Sequence, residues 1–264
     1  MGIRQLVLLS AFLLTDGGIS SKGKNWLIYF KNKDGEIIKQ FQKILKQTIG
    51  KIGYLSNRPD GTKYIRIVDN KLAESLFCLS PSYRTKACGT FPKCQHLRQK
   101  MSSCLRFGTI RVNGTEYPKA RIPPQVFGSE KLAKDFLKIY ASCDGGVSAV
   151  PAKNKHGSLF LVRKVLISVK HPTLNDQLTR LFKKLGFNPY QLKDQIRLTK
   201  RTDIEKFKNQ IAFIEKSKIS DHSKYLSSID KNSFLGMVTY SYVNTKPLLK
   251  FLIEKRPSSG LIWD

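Results

Sequence analysis

One ten-residue pattern occurs twice in the chain, at residues 9–18 and 137–146. Each copy is a mostly apolar run that ends in an aspartate, Asp16 or Asp144, followed by two glycines. Such a run predicts a buried helix. We expect the glycines to end it, because glycine readily adopts the left-handed conformation that is common at helix C-termini. The carboxylate would then lie at the end of a buried helix.

Two such helices packed side by side would bring Asp16 and Asp144 close together. Carboxylates at short distance repel each other unless a divalent cation lies between them or one of them is protonated. The repeated pattern therefore predicts a paired metal site. In the alternative interpretation each aspartate is an ordinary turn residue before glycine, and the repetition within matched surroundings argues against it.

The chain carries a large excess of positive charge. Its 264 residues include 47 Lys+Arg and 19 Asp+Glu, a formal net charge of +28, and 41% are hydrophobic. The apolar content suffices for a folded core and argues against disorder. Globular folding does not need the charge imbalance, which adds self-repulsion, whereas a nucleic acid would relieve it through its phosphates. An anionic membrane surface is the less favoured partner, because no long basic amphipathic helix and no stretch of membrane-spanning length is visible.

The apolar run that follows Arg4 could also be a secretory signal. We interpret it as a core helix instead, because the same pattern recurs in mid-chain, where no signal peptide can lie. Five cysteines, an odd number, fit a reducing compartment better than a disulfide framework. We therefore expect a prokaryotic cytoplasm or the matrix or stroma of an organelle, and no secretion.

Three cysteines and a histidine lie between the two copies, at Cys88, Cys94, His96 and Cys104. These are zinc-ligand types at a spacing that is not standard for zinc. We favour buried or incidental cysteines over a zinc site. The remaining histidines, His156, His171 and His222, occur in polar stretches of sequence and are assigned no role.

Similar elements follow each copy of the pattern. The first half shows a strand over 25–31, a helix over about 37–49, a hairpin over 54–68 and a helix capped by Asp69. The second half shows a β-rich run over 157–168, a helix from Pro172, a strand over 195–199 and a helix capped by Thr202. This order predicts a duplicated α+β fold.

The boundary between the halves is placed at the end of a segment without periodicity. Residues 80–125 are rich in proline, glycine, cysteine and basic residues, and we predict an irregular insert and linker there. The predicted halves are residues 1–122 and 123–264, with a closing helix near 248–253. Strand alternation places Tyr64 and Arg66 on the face away from the core, with Arg197 at the matching position of the second half.

These residues resemble the single-chain LAGLIDADG homing endonucleases. The matching stretches are 9–17 and 137–145, each with the extra glycine of archaeal-type members, and 30–40, 166–174, 185–186 and 211–218. The resemblance implies two pseudo-symmetric αββαββα halves, with the motif helices at their interface and antiparallel sheets that form a saddle over the DNA major groove. It also implies a monomer that cleaves both strands of a long asymmetric site with divalent metals.

The resemblance assigns roles to particular residues. Asp16 and Asp144 would bind two or three Mg²⁺ ions, for which Mn²⁺ or Ca²⁺ can substitute, with help from backbone carbonyls near Thr15 and Cys143. Two aspartates can be enough protein, since Mg²⁺ keeps several waters, and a two-metal site suits phosphodiester hydrolysis. Lys218 matches the family's late basic residue, and Lys86 is our choice for its first-half equivalent.

The two halves differ at a position where relatives often carry a water-ordering glutamine. The first half has Asn32 there and the second has Val169, which cannot order water, so we expect the two strands to be cut at unequal rates. Lys33 and Lys170 follow as further catalytic candidates. Ile139 replaces the small residue that is usual in the motif, and the small Ala141 nearby could compensate.

The predicted DNA contacts are Arg66, Arg197, Tyr64, Lys31, Arg84, Arg163 and Lys200. An outward arginine on a groove-binding sheet meets a guanine edge or a phosphate. The alternative functions are an RNA maturase that assists intron splicing and a DNA-binding regulator without catalysis, since one fold serves all three. The aspartates retained in both halves favour cleavage.

Overall fold

The computed structural model describes residues 1–22, 24–88, 103–219 and 226–255. The first half contains α1 (Ile3–Leu13), β1 (Gly17–Lys22), β2 (Asn25–Asn32), α2 (Gly35–Ile49), β3 (Tyr54–Asn57), β4 (Lys63–Val68) and α3 (Asn70–Leu79). A connecting region contains α4 (Ser103–Phe107), β5 (Thr109–Val112), β6 (Thr115–Pro118) and α5 (Gln125–Gly128).

The second half repeats the order of the first. It contains α6 (Glu130–Asp144), β7 (Gly145–Lys153), β8 (Leu159–Ser168), α7 (Pro172–Lys184), β9 (Tyr190–Gln191), β10 (Gln195–Leu198) and α8 (Arg201–Gln210). Two further helices follow, α9 (Lys231–Tyr240) and α10 (Lys246–Glu254). The predicted pair of αββαββα halves is confirmed, and α10 matches the predicted closing helix.

Each half has one four-stranded antiparallel sheet, with strand orders β1-β2-β4-β3 and β7-β8-β10-β9. Arg66 on β4 lies opposite Tyr29 and Tyr54. Arg197 on β10 lies opposite Leu166 and Tyr190. The two sheets therefore share one register, and the predicted equivalence of Arg66 and Arg197 is confirmed.

The core is built on α1, whose residues 6–13 are all buried. Phe12 of this helix packs edge-on against Phe30 of β2 and Phe41 of α2, with ring centroids 5.2 Å and 5.5 Å away. Alternate residues of β2 point to the helices, which is why Ile28 and Phe30 are buried while Lys31 is exposed. The apolar run after Arg4 is thus a core helix, as expected.

The motif helices α1 and α6 pack against each other and join the two halves in one apolar core. Ala11 and Ala141 are fully buried, and Ile139 is buried too. At the other end of the helix pair, Arg4 forms a 2.8 Å ion pair with Asp135. Within the described ranges, no helix has both the length and the apolar character that a membrane crossing requires.

The motif glycines do not act as predicted. Gly145 is extended, with φ −119° and ψ 171°, and neither Gly17 nor Gly145 is among the glycines with positive φ. They instead begin β1 and β7, two strands that the residue pattern did not predict and that only the resemblance implied. A Cβ on Gly17 would lie 2.8 Å from Tyr29 O, and one on Gly145 would lie 2.6 Å from Ala141 O. Glycine is required here because backbones approach closely, and the prediction of a left-handed cap is wrong.

Two other local predictions are corrected and two are confirmed. Thr202 does not cap α8, since Lys200 precedes the first turn and no side chain caps it. Residues 80–125 are not irregular throughout, because β5 and β6 pair as a hairpin. Asp69 does cap α3, accepting a 2.8 Å hydrogen bond from Leu72 N, and Pro172 lies in the first turn of α7. Cys94, His96 and His222 lie outside the described residues, so the zinc alternative stays untested.

The connecting region is fastened to the second half at His171. Nδ1 of this buried side chain accepts from Leu174 N at 3.4 Å and caps α7. Its Nε2 lies 2.7 Å from Pro118 O. Because Nδ1 must accept, Nε2 carries the proton and donates it to Pro118 O. The polar surroundings expected for His171 are therefore wrong.

Candidate active site

The structure brings the ends of the two motif helices together. Burial raises the pKa of the Cys143 thiol and Thr15 lies close enough to lower it, which places the second motif beside the first. Asp16 and Asp144 are close enough that the charge of Asp16 contributes to the raised pKa of Asp144. Asp16 follows α1 and Asp144 is the last residue of α6, so the packing of the two helices fixes both carboxyl groups.

The two carboxyl groups have different surroundings. The pKa of Asp144 is raised to about 8, mainly by burial and also by the charge of Asp16, with Lys231 opposing both. Burial also raises the pKa of Asp16, but a hydrogen bond from Asn32 and the charges of Lys31 and Lys231 counteract it. Asp144 is thus the carboxyl group that its surroundings favour in the protonated form in the absence of a cation.

Asn32 contributes to this asymmetry directly. Its Nδ2 donates to Asp16 Oδ2 at 2.7 Å, and its Oδ1 accepts from Asp34 N at 2.8 Å. Both bonds hold the amide, so the Asp16 carboxylate is held in one orientation. The equivalent residue of the second half, Val169, is buried and apolar. The predicted difference between Asn32 and Val169 thus has a structural counterpart in the site.

Lys231 is the residue that the sequence interpretation missed. Its ammonium group is buried and donates to Ser142 O at 2.7 Å and Gly145 O at 2.8 Å. Burial lowers its pKa, whereas Cys143, Asp34, Asp144 and Asp16 raise it. Lys231 begins α9, a helix that Asp230 caps by accepting from Ser233 N. The cap could have predicted the helix, but no sequence signal indicates that the lysine points inward.

A cavity of about 400 Å³ opens beside Asp16. Among the described residues, its lining includes Asp16, Cys143, Lys31, Asn32, Lys33, Asp34, Arg58, Lys218 and Lys231. Lys218 N donates to Asp34 Oδ2 at 2.6 Å, so the Lys218 loop of the second half contacts the first half at the cavity. The predicted candidates Lys33 and Lys218 lie here. Lys86 and Lys170 are exposed and are not among the lining residues.

The donor set fits a hard divalent cation. The described residues contain no group of three or more His, Cys, Asp or Glu side chains suited to a metal. The protein would therefore supply two carboxylates and backbone carbonyls, which suits Mg²⁺ because Mg²⁺ prefers oxygen and retains waters. The Cys143 thiol is not a suitable ligand, since burial and neighbouring carboxylates raise its pKa well above the usual value and keep it protonated.

The outward face of the first sheet is rich in tyrosine and arginine. The Arg66 guanidinium lies over the rings of Tyr54 and Tyr64, at 5.2 Å and 5.3 Å from their centroids. Nε of Arg66 and Nε of Arg84 are buried and have no hydrogen-bond partner. The Arg84 charge also acts on the Tyr29 hydroxyl, whose pKa burial raises. Predicted DNA contacts Tyr64, Arg66, Arg84 and the exposed Lys31 thus lie on or beside one face.

The predicted DNA contacts of the second half do not all lie on one face of its sheet. Arg197 points outward and lines a cleft with Tyr190 and Lys200. Arg163, however, lies on the helix-covered face, where Nε donates to Ser241 Oγ at 2.7 Å and the guanidinium stacks on Tyr242. Burial lowers the pKa of Arg163. The predicted DNA contact of Arg163 is wrong, because these bonds tie it to the end of α9.

The chain thus has two αββαββα halves, with one aspartate from each half at their interface. Residues 5–77 match the family model described as a LAGLIDADG-like domain. The first half therefore contains a LAGLIDADG-like domain, and the whole chain has the fold of the LAGLIDADG homing endonucleases. None of the curated proteins matches the sequence significantly.

Two solved proteins illustrate the likeness. A lysine-to-alanine variant of I-SmaMI is 14% identical, with a TM-score of 0.55 over 97% of this chain and 99% of that one. The meganuclease I-AabMI bound to uncleaved DNA is 14% identical, with a TM-score of 0.54 over 95% of this chain and 96% of that one. I-SmaMI has also been solved with uncleaved DNA and calcium ions, at 13% identity and a TM-score of 0.51 over 95% of this chain and 96% of that one.

Proposed function

We propose that the protein is a sequence-specific, divalent-metal-dependent endonuclease of the homing type that cuts both strands of a DNA duplex. The observation that carries this proposal is the proximity of Asp144 to Asp16, one aspartate from each half, with Asp16 lining a cavity that also contains lysines and an arginine. I-SmaMI, which shares the fold, has been solved bound to cleaved DNA. The net charge of +28 suits the same substrate.

The residues around the cavity have separate tasks. Divalent cations bound by Asp16 and Asp144 would stabilise charge on the scissile phosphates and activate water. Asn32 keeps the Asp16 carboxylate in one orientation. Lys231 fixes the carbonyls of Ser142 and Gly145 and places a buried positive charge near the reacting phosphates.

The exposed cations of the cavity act on the DNA backbone. Lys31, Lys33 and Arg58 line the cavity on the side of the first half and would hold the phosphates next to the cleavage point. Lys218 lines it on the side of the second half, where its exposed ammonium group would order solvent around the scissile phosphate. Both halves lie in one chain, so the active unit we propose is a monomer.

The two strands would be cut at unequal rates. Asn32 orders the first half of the site, whereas Val169 presents only methyl groups at the equivalent place in the second half. A duplex nicked in one strand should therefore accumulate before the double-strand break. Labelling the two strands with different dyes measures both rates in one reaction.

Selection followed by cleavage tests the proposal. Duplexes from a randomised library are enriched by repeated binding in Ca²⁺, and the enriched pool is then incubated with Mg²⁺. Fragments with matched ends support the nuclease. Asp16→Asn and Asp144→Asn should abolish cleavage and retain binding. Asp135→Asn is the matched control, because this partly exposed aspartate lies on the same helix as Asp144 and makes only a surface ion pair.

Other outcomes would replace the proposal. Tight and specific binding with no cleavage in Mg²⁺ or Mn²⁺ would indicate a DNA-binding regulator. Selective retention of a structured RNA with no preference among duplexes would indicate a maturase. Cleavage that persists in both asparagine variants would show that the aspartates are not the metal ligands.

A further inference from the structure

Four apolar side chains form an exposed patch on the outward face of the β7–β8 hairpin. The apolar patch consists of Val150, Ala152, Phe160 and Val162. Val150 lies directly opposite Val162, and Ala152 lies opposite Phe160. Val150, Phe160 and Val162 are 43%, 47% and 40% exposed. Directly opposed side chains in antiparallel strands touch, so the four form one continuous surface.

The apolar patch is separate from the hydrophobic core, because it lies on the opposite face of the hairpin. Ala149 and Leu161, which alternate with its members, point to the other face and are buried. The first half has no equivalent, because β1 has six residues against nine in β7 and its hairpin ends with Lys22 opposite Asn25. The patch therefore belongs to an extension that only the second half has.

Cationic residues lie on both sides of the apolar patch. On the side of the active site, the next pair of opposed residues is Ser148 and Lys164. On the other side, the turn of the hairpin carries Lys155. Lys155 is exposed. An apolar surface between cations suits a polyanion that carries apolar groups of its own.

We propose that the apolar patch recognises thymine methyl groups in the major groove of the half-site that the second half contacts; this rests on the proposed function. The C5-methyl of thymine is the apolar group that base edges present in the major groove. Side chains two residues apart on a strand are separated by about 6.6 Å, and two base steps span about 6.8 Å. The two opposed pairs of the patch, Val150 with Val162 and Ala152 with Phe160, can therefore contact two or three consecutive base pairs.

The first half offers a contrast that makes the proposal specific. Its outward face presents the Arg66 guanidinium and the hydroxyls of Tyr29, Tyr54 and Tyr64, which suit guanine edges and phosphates. Val68, 42% exposed, adds one apolar side chain farther along β4. The target should therefore be asymmetric in composition. One half-site contains two or three consecutive thymines on either strand, and the other half-site depends less on methyl groups.

The test uses the full-length protein and the duplexes that it selects in Ca²⁺. Thymidine is replaced by deoxyuridine, which lacks only the methyl group, first in one half-site and then in the other. Replacement in the thymine-containing half-site should weaken binding about fourfold per contacted methyl group. Replacement in the other half-site should have a smaller effect, at most the roughly fourfold loss of a single methyl contact.

Variants connect the methyl effect to the apolar patch. In Phe160→Ser and in the triple variant V150S/F160S/V162S, thymidine and deoxyuridine duplexes should bind equally. The matched control is Leu159→Ser, because Leu159 is next to Phe160 on β8 and 48% exposed but alternates to the other face. This control should keep the full deoxyuridine penalty. The single variant retains a readout if the triple variant folds poorly.

The outcomes of these experiments distinguish a failure of the proposed function from a failure of the thymine-methyl inference. If the wild-type protein selects no DNA sequence, the proposed function fails and this inference fails with it. If it selects a defined site but ignores deoxyuridine, or if the serine variants keep the penalty, the inference alone is overturned. If the serine variants abolish a self-association seen by sedimentation and leave DNA selectivity intact, the patch is a protein interface and the inference is again wrong.

Discussion

Replacing Asp144 with asparagine should stabilise the protein at alkaline pH. The pKa of Asp144 is raised from 3.8 to about 8 in the folded protein. Stabilisation by its protonated form is therefore present in full below about pH 4 and is lost as the pH rises through about 8. The difference of about four units corresponds to roughly 5–6 kcal/mol as an upper limit. We expect about 2–3 kcal/mol, since local water partly compensates the ionised form. Asparagine cannot ionise and avoids this loss.

Urea unfolding with a metal chelator present measures the effect. The buried Trp26 provides a fluorescence signal from the core. Wild type and Asp144→Asn should unfold at similar urea concentrations at pH 4.5, and the variant should be more stable at pH 9. Asp135→Asn should follow the wild type at both values, because Asp135 lies in an exposed ion pair. Saturating Mg²⁺ should reverse the order, since it binds only the ionised wild type. A variant that loses stability in parallel with the wild type as the pH rises would refute the reasoning.

Three further predictions concern the motif, the buried lysine and the helix cap. Gly145→Ala should cost about 2–3 kcal/mol of unfolding free energy in urea, because its Cβ meets Ala141 O at 2.6 Å, while Gly146→Ala has open space and should be nearly neutral. Lys231→Met should slow cleavage of the selected duplex by about 100-fold or more, whereas the exposed-site control Lys216→Met should not. Burial lowers the pKa of His171, so the unfolded chain binds protons first and wild-type stability should fall as the pH drops from about 6.5. His171→Asn keeps a capping side chain and should remove that part of the pH dependence, which thermal unfolding at pH 5 and 7 would reveal.

Much of the fold follows from patterns that are local in sequence. The periodicity of α1 and α2, the cap at Asp69 and the alternation of β4 each depend on near neighbours, and each was predictable for that reason. The duplication then placed Arg197 by analogy with Arg66. The pairing of Asp16 and Asp144 required only that two similar apolar helices bury their surfaces against each other.

The failures involve features that depend on tertiary contacts or on strand register. Arg163 was assigned to the DNA face because residues 157–168 were recognised as β-rich without a register, and one position of shift moves a side chain to the other face. The motif glycines were assigned to a cap, whereas the close approach of Tyr29 O and Ala141 O is visible only after folding. Lys231 lies far along the chain from both aspartates, and its inward direction depends on how α9 docks.

The common register of the two sheets has a consequence for how such a protein can change its target. Rows of outward side chains, such as Tyr54–Arg66–Tyr29 and Tyr190–Arg197–Leu166, occupy equivalent positions on frameworks that the buried face holds in place. An exchange at one outward position leaves the strand pairing unaltered. The base preferences of each half can therefore change separately, one outward residue at a time, while the active site between the halves stays unaltered.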